Sequence, residues 1–112
     1  MHRGDHEEKL EILREADAIF REEIDGLNFR PGQYFAALTD TRSVGIKDNA
    51  RAYGYTIALR AVATKDFMTA EYVHLPYKLL TRASERITSK IADVTRVVYD
   101  ITSKPPATVE WE

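Results

Sequence analysis

The stretch "RAYGYTIALRAVA" (Arg51–Ala63) alternates with a period of two. In an extended chain Tyr53, Tyr55, Ile57 and Leu59 point one way, and Ala52, Thr56, Ala58 and Val62 point the other. Neither set is distinctly polar, so the segment predicts a strand covered on both faces. Just upstream, "QYFAALT" (Gln33–Thr39) has the same period. "SVGIKDNA" (Ser43–Ala50) lies between the two and predicts a hairpin connection, with Lys47, Asp48 and Asn49 as its turn chemistry.

Outside this hairpin the period changes. Leu10, Leu13, Ala16, Phe20, Ile24 and Leu27 recur at steps of three and four, widened by Ile12 and Ile19. They predict an amphipathic helix from about Asp5 to Asp25. Asp5 and Glu8 resemble a capping box, Gly26 is a stop, and "FRPGQ" (Phe29–Gln33) is a turn. Downstream, "TKDFMTAEYVHLPYKLLTRASERITSKI" (Thr64–Ile91) begins as a turn or short helix. A second long helix follows, with Pro76 in its first turn and Leu79, Leu80, Ala83, Ile87, Ile91 and Val94 as its apolar stripe. "TRVVYDI" (Thr95–Ile101) predicts a third strand, with Val97, Tyr99 and Ile101 on one face and Arg96, Val98 and Asp100 on the other. "ATVEW" (Ala107–Trp111) predicts a fourth, because Val109 and Trp111 alternate with charged residues.

The fold class that follows is α+β. We expect a two-layer α/β sandwich in the order α-β-β-α-β-β, with two helices on one face of a four-stranded, mainly antiparallel sheet. The second sheet face is then bare yet apolar, and a homodimer would bury it.

Composition narrows the functional classes. At 112 residues, 1–112 is expected to form one domain, with 44% hydrophobic and 30% charged residues and no sign of disorder. A formal charge of −2 argues against nucleic acid as a partner. The absence of cysteine removes disulfides, thiolate metal sites and cysteine nucleophiles. No apolar run approaches the roughly 20 residues of a spanning helix, and "MHRGDHEEK" (Met1–Lys9) is too polar for a signal peptide. No membrane partner is expected, and the cytoplasm is the default location.

Motif by motif, catalytic chemistry is not found. His2 and His6 have metal-ligand spacing, but no third ligand is in view, so no metal site is expected. His74, beside Pro76, reads as structural or solvated. The glycines form neither a dinucleotide fingerprint nor a phosphate loop, and Ser43, Ser84, Ser89 and Ser103 lack a nucleophile context. Glu11, Glu15 and Glu22 read as the solvated side of the first helix. The tail is different. Lys104 directly precedes Pro105 and Pro106, so its backbone is pushed toward extended geometry in a stiff loop. Such a loop can hold one ammonium and a few main-chain N–H groups in fixed places, which suits an anion. Taken alone, Lys104 also reads as a solvated loop lysine, and Arg96 as a structural partner of Asp100.

"RVVYDITSKPPATVEWE" (Arg96–Glu112) closely resembles the end of the GMP synthetase family. The resemblance continues in order through "LREADAIF" (Leu13–Phe20), "RSVGI" (Arg42–Ile46), "ALRAV" (Ala58–Val62), "FMTAEY" (Phe67–Tyr72) and "LPY" (Leu75–Tyr77). It implies the C-terminal dimerisation domain of that family, without the glutaminase and ATP pyrophosphatase domains. The initial methionine leaves open a separately encoded domain and a piece of a longer enzyme. The resemblance implies a homodimer that binds XMP and closes on the ATP pyrophosphatase domain or subunit, in a ligase using ATP and Mg elsewhere. It assigns no catalytic residue and no cofactor to this chain. Carried over residue by residue, it implies XMP contacts from Gln33, Arg96, Lys104 and the Val109 and Glu110 backbone. Relatives commonly carry glycine in the turn after "RSVG", whereas this chain has "IKDNAR" (Ile46–Arg51) with a basic cluster of Arg42, Lys47 and Arg51. The alternative is a dimeric assembly or regulatory module that does not bind XMP.

Overall fold

The computed structural model describes residues 5–66 and 68–111. His2 and the side chain of Asp5 lie outside that description, so neither the pairing of His2 with His6 nor the Asp5 cap is addressed. Elements run α1 (Asp5–Asp25), β1 (Gln33–Lys47), β2 (Ala50–Thr64), β3 (Ala70–Tyr72), α2 (Tyr77–Lys90) and β4 (Val94–Tyr99). The class is the expected one: two helices pack on one face of a four-stranded, mainly antiparallel sheet.

β2 organises the sheet. β1 pairs antiparallel along nearly all of one edge, from Gln33 opposite Val62 to Lys47 opposite Ala50. The other edge is shared: β4 runs parallel beside Tyr55–Leu59, and β3 runs antiparallel beside Val62–Thr64. Parallel pairing follows from the connection, because the chain must cross back through α2 before β4 can align with β2. Ile57, Leu59 and Ala61 face the helices, where they meet Ile12, Ala16, Ile19, Phe20, Ile24, Leu79, Ala83 and Ile87. Burying one such large apolar side chain stabilises the fold by roughly 1.5–3 kcal/mol. Arg82 and Arg86 of α2 reach Glu23 of α1 at 2.8 and 3.0 Å and tie the helices together.

The hairpin turn forms as its residues dictate. Asp48 and Asn49 both take positive φ, at 51° and 63°, the geometry of a two-residue turn matching strand twist. Gly54 is required by packing, since a Cβ there would lie 2.6 Å from the Asp93 carbonyl oxygen. Lys47 is not free in a basic cluster. Its ammonium donates to the carbonyls of Thr88, Ile91 and Ala92 at 2.6, 3.2 and 3.1 Å, closing the C-terminal end of α2. Pro76 stands immediately before α2, and its carbonyl accepts from Leu79 and Leu80.

Three expectations are corrected. The fourth strand is Ala70–Tyr72, between β2 and α2, so the order is α-β-β-β-α-β. Residues 107–111 are irregular because the successive carbonyls of Thr108 and Val109 both turn to one guanidinium, whereas strand carbonyls alternate in direction. The second sheet face is also not bare along β2. Thr56, Ala58, Arg60 and Val62, which face away from the helices, are buried in the single chain, and the tail lies over this face at Arg60. Large exposed apolar side chains remain on this face at Val98 of β4, level with Ala58, and stand also on the hairpin at Val44, Ile46 and Tyr53.

Candidate functional site

The site is built around the one arginine inside the apolar run of β2. Arg60 is 0% exposed. Its Nε donates to the Val109 carbonyl and its Nη2 to the Thr108 carbonyl, each at 2.8 Å. Nη1 lies 3.2 Å from Asp100 Oδ2, an ion-pair contact without hydrogen-bond alignment. The same oxygen accepts from Trp111 Nε1 at 3.0 Å, while Asp100 Oδ1 accepts from the Thr102 amide at 2.9 Å. A buried guanidinium and a carboxylate thus gather the chain end onto the sheet, with the fork geometry that arginine uses for paired acceptors.

This arrangement sets the direction of the tail's donors. The cis peptide bonds are Lys104–Pro105 and Pro105–Pro106, so those linking Thr108, Val109 and Glu110 are trans. In a planar trans peptide the N–H points away from the carbonyl of the same unit. With the Thr108 and Val109 carbonyls turned inward, the Val109 and Glu110 N–H groups point outward. They find no acceptor among the described residues. The Glu110 carbonyl accepts from Thr108 Oγ1 at 2.8 Å, which fixes the next peptide too.

Lys104 holds its place through the main chain. Its N–H donates to the Ala70 carbonyl at 2.8 Å and its carbonyl accepts from the Ala70 N–H at 3.0 Å. Amide hydrogen bonds from Met68 and then Thr69, with a smaller contribution from the Lys104 ammonium, hold the Asp66 carboxyl below its ordinary value. Gln33 is exposed at the start of β1, level with Val62, and Arg96 is exposed on β4, level with Thr56. Six strand residues separate those levels, about 20 Å at 3.3 Å per residue. Val109 and Glu110 therefore sit together over Arg60, while Gln33 and Arg96 lie toward opposite ends of the sheet. Asp100 pairs with Arg60; Arg96 has no ion-pair partner among the described residues.

The region offers cations and main-chain donors rather than proton-transfer machinery. Burial pushes the Tyr99 phenol above its ordinary range, and its hydroxyl donates to the Val73 carbonyl at 2.6 Å, so it stays protonated. Among the described residues no cluster of histidine and carboxylate groups could hold a metal.

Comparison with known proteins gives this geometry its family. Residues 22–111 match the family model described as GMP synthase C terminal domain. The chain belongs to the GMP synthase C-terminal domain family. It is 55% identical over 108 residues to GMP synthase (glutamine-hydrolyzing) of Treponema denticola, an alignment covering 95% of this chain and 21% of the relative. Against the protein of the same name from Caldicellulosiruptor saccharolyticus it is 59% identical over 108 residues, with the same coverage. This GMP synthase C-terminal domain thus spans about a fifth of the length of those relatives. Among its described residues, no helix is long and apolar enough to cross a membrane.

Arg60 and Asp100 are the residues that sequence reasoning did not place in the site. The available signal was an arginine within "IALRAVA" (Ile57–Ala63), where a charged residue on a covered strand needs a partner. Nothing local identified that partner, because the acceptors lie 48 and 49 residues away.

Proposed function

We propose that this chain is the XMP-phosphate-binding and dimerisation part of a glutamine-hydrolysing GMP synthase. The observation that carries the reading is the inward turn of the Thr108 and Val109 carbonyls, which leaves the Val109 and Glu110 N–H groups directed outward. A phosphate monoester carries close to two negative charges and is suited to such donors together with a nearby ammonium. The family resemblance assigns that role to Lys104, whose main chain is held at Ala70. Gln33 and Arg96 lie too far apart to meet one phosphate and would contact different parts of the nucleotide or of its approach. ATP and Mg would act on a separate pyrophosphatase domain, where XMP is adenylated before ammonia displaces AMP. This chain then contributes positioning and exclusion of water rather than bond making. Exposed Val44, Ile46 and Tyr53 on the hairpin favour pairing of two copies.

Calorimetric titration with XMP tests the assignment. Lys104→Ala is expected to weaken binding about tenfold or more, since a charge-assisted hydrogen bond contributes roughly 1.5–3 kcal/mol. Equal affinity for parent and variant would contradict it. Sedimentation equilibrium should return twice the 12.8 kDa chain mass, and a monomer at every concentration would contradict dimerisation.

A further inference from the structure

We infer that Arg60 is a positioning residue for the phosphate: it touches no ligand, yet it determines where the Val109 and Glu110 N–H groups point. This rests on the phosphate-binding reading above. Three features carry it. The side chain is fully buried, so it cannot itself meet a solvent-borne anion. Its Nε and Nη2 each take one of two consecutive carbonyls at 2.8 Å, and each carbonyl belongs to the same peptide unit as one of the two outward N–H groups. Its third nitrogen lies against Asp100, which also receives the Trp111 indole, so the chain beyond Glu110 is anchored from the same point.

Lysine cannot substitute. Its ammonium is a point donor on a flexible stem and lacks the rigid planar fork that holds two acceptors at a fixed separation. Arg60→Lys keeps the charge opposite Asp100 but releases at least one carbonyl. That peptide is then free to rotate, and its N–H loses its fixed direction. Affinity for a phosphate monoester should fall while the helices and the sheet remain.

The experiment is a titration of the 15N-labelled chain with XMP, reading backbone amides and the Arg60 Nε–H. In the parent, Val109, Glu110 and Arg60 Nε–H should shift with one common midpoint. Arg60→Lys should retain the α1, α2 and β2 resonances, bind XMP at least tenfold more weakly and lose the shifts at Val109 and Glu110. Gly54→Ala, which strains the fold away from the tail, should retain parental affinity. Arg60→Lys binding as tightly as the parent overturns the inference. So does an equal loss in Gly54→Ala, which would reduce the effect to stability. If Arg60→Lys does not fold, a parental Arg60 Nε–H unmoved while Val109 and Glu110 shift overturns it. A parent that does not bind XMP overturns the functional reading itself, and this inference with it.

Discussion

Replacing Asp100 with asparagine leaves the Arg60 guanidinium at 0% exposure with neutral carbonyls but no counter-charge. Removing one partner of a buried ion pair costs about 3–5 kcal/mol. The Asp100 side chain keeps 14% exposure, so some water reaches the pair and the lower end, ~3 kcal/mol, is expected. Arg60→Met leaves the Asp100 carboxylate with the Thr102 amide and the Trp111 indole, and strips the Thr108 and Val109 carbonyls of their donors. Its cost should also be about 3 kcal/mol, at unsatisfied-group penalties of roughly 1–3 kcal/mol each. The double variant removes both charges together. It should therefore be less destabilised than the ~6 kcal/mol sum by about 2–3 kcal/mol, the coupling expected of residues in direct contact. Urea unfolding followed by circular dichroism reads the four stabilities, and Trp111 fluorescence reports the tail. Additivity within ~0.5 kcal/mol would mean that the two residues do not act as one unit, and would sink the description of the tail anchor.

Three further outcomes are expected. Gly54→Ala places a methyl 2.6 Å from the Asp93 carbonyl oxygen, so it should cost about 1–3 kcal/mol in urea unfolding; a neutral result contradicts the packing described. Lys47→Ala removes the ammonium from three carbonyls at the end of α2 and should cost about 1–2 kcal/mol, with faster amide exchange confined to the last helical turn. Burial pushes the Glu23 carboxyl up, but hydrogen bonds from Arg82 and Arg86 outweigh it and leave the group below its ordinary 4.5. A carboxyl depressed by folding stabilises above its unfolded value and loses that contribution as pH falls through its folded value. The stability gap between the parent and Glu23→Gln should therefore narrow on acidification below about 4.5, and a pH-independent gap would contradict this.

Long periodic elements were legible in the sequence because burial repeats along them. Ile57, Leu59 and Ala61 alternate with Ala58, Arg60 and Val62, and both sets are buried, as a strand without a polar face requires. The first helix shows the limit of such patterns: Ile12, Ala16, Ile19 and Ile24 form its buried stripe, while Leu10 is 38% exposed. Asp48 and Asn49 announced their turn through their tolerance of positive φ. The first strand after the hairpin, β3, was not legible, because three residues at Ala70–Tyr72 are too few to show a period. The tail misled for a different reason. Its alternating Val109, Glu110 and Trp111 have the pattern of a strand, but long-range donation from Arg60 decides where the Thr108 and Val109 carbonyls go. Of the candidate site, Val109 and Glu110 were proposed from the family resemblance, and the structure describes them side by side over Arg60. The buried pair behind them needed three dimensions.

The decisive measurement is the chemical-shift response of the Val109 and Glu110 amides of this chain to XMP. Saturable shifts there, accompanied by Lys104 and stronger than those on the helices, are expected if the outward N–H groups hold the phosphate. No response at these two amides up to millimolar XMP would contradict the assignment and leave the ordered tail a role in packing alone.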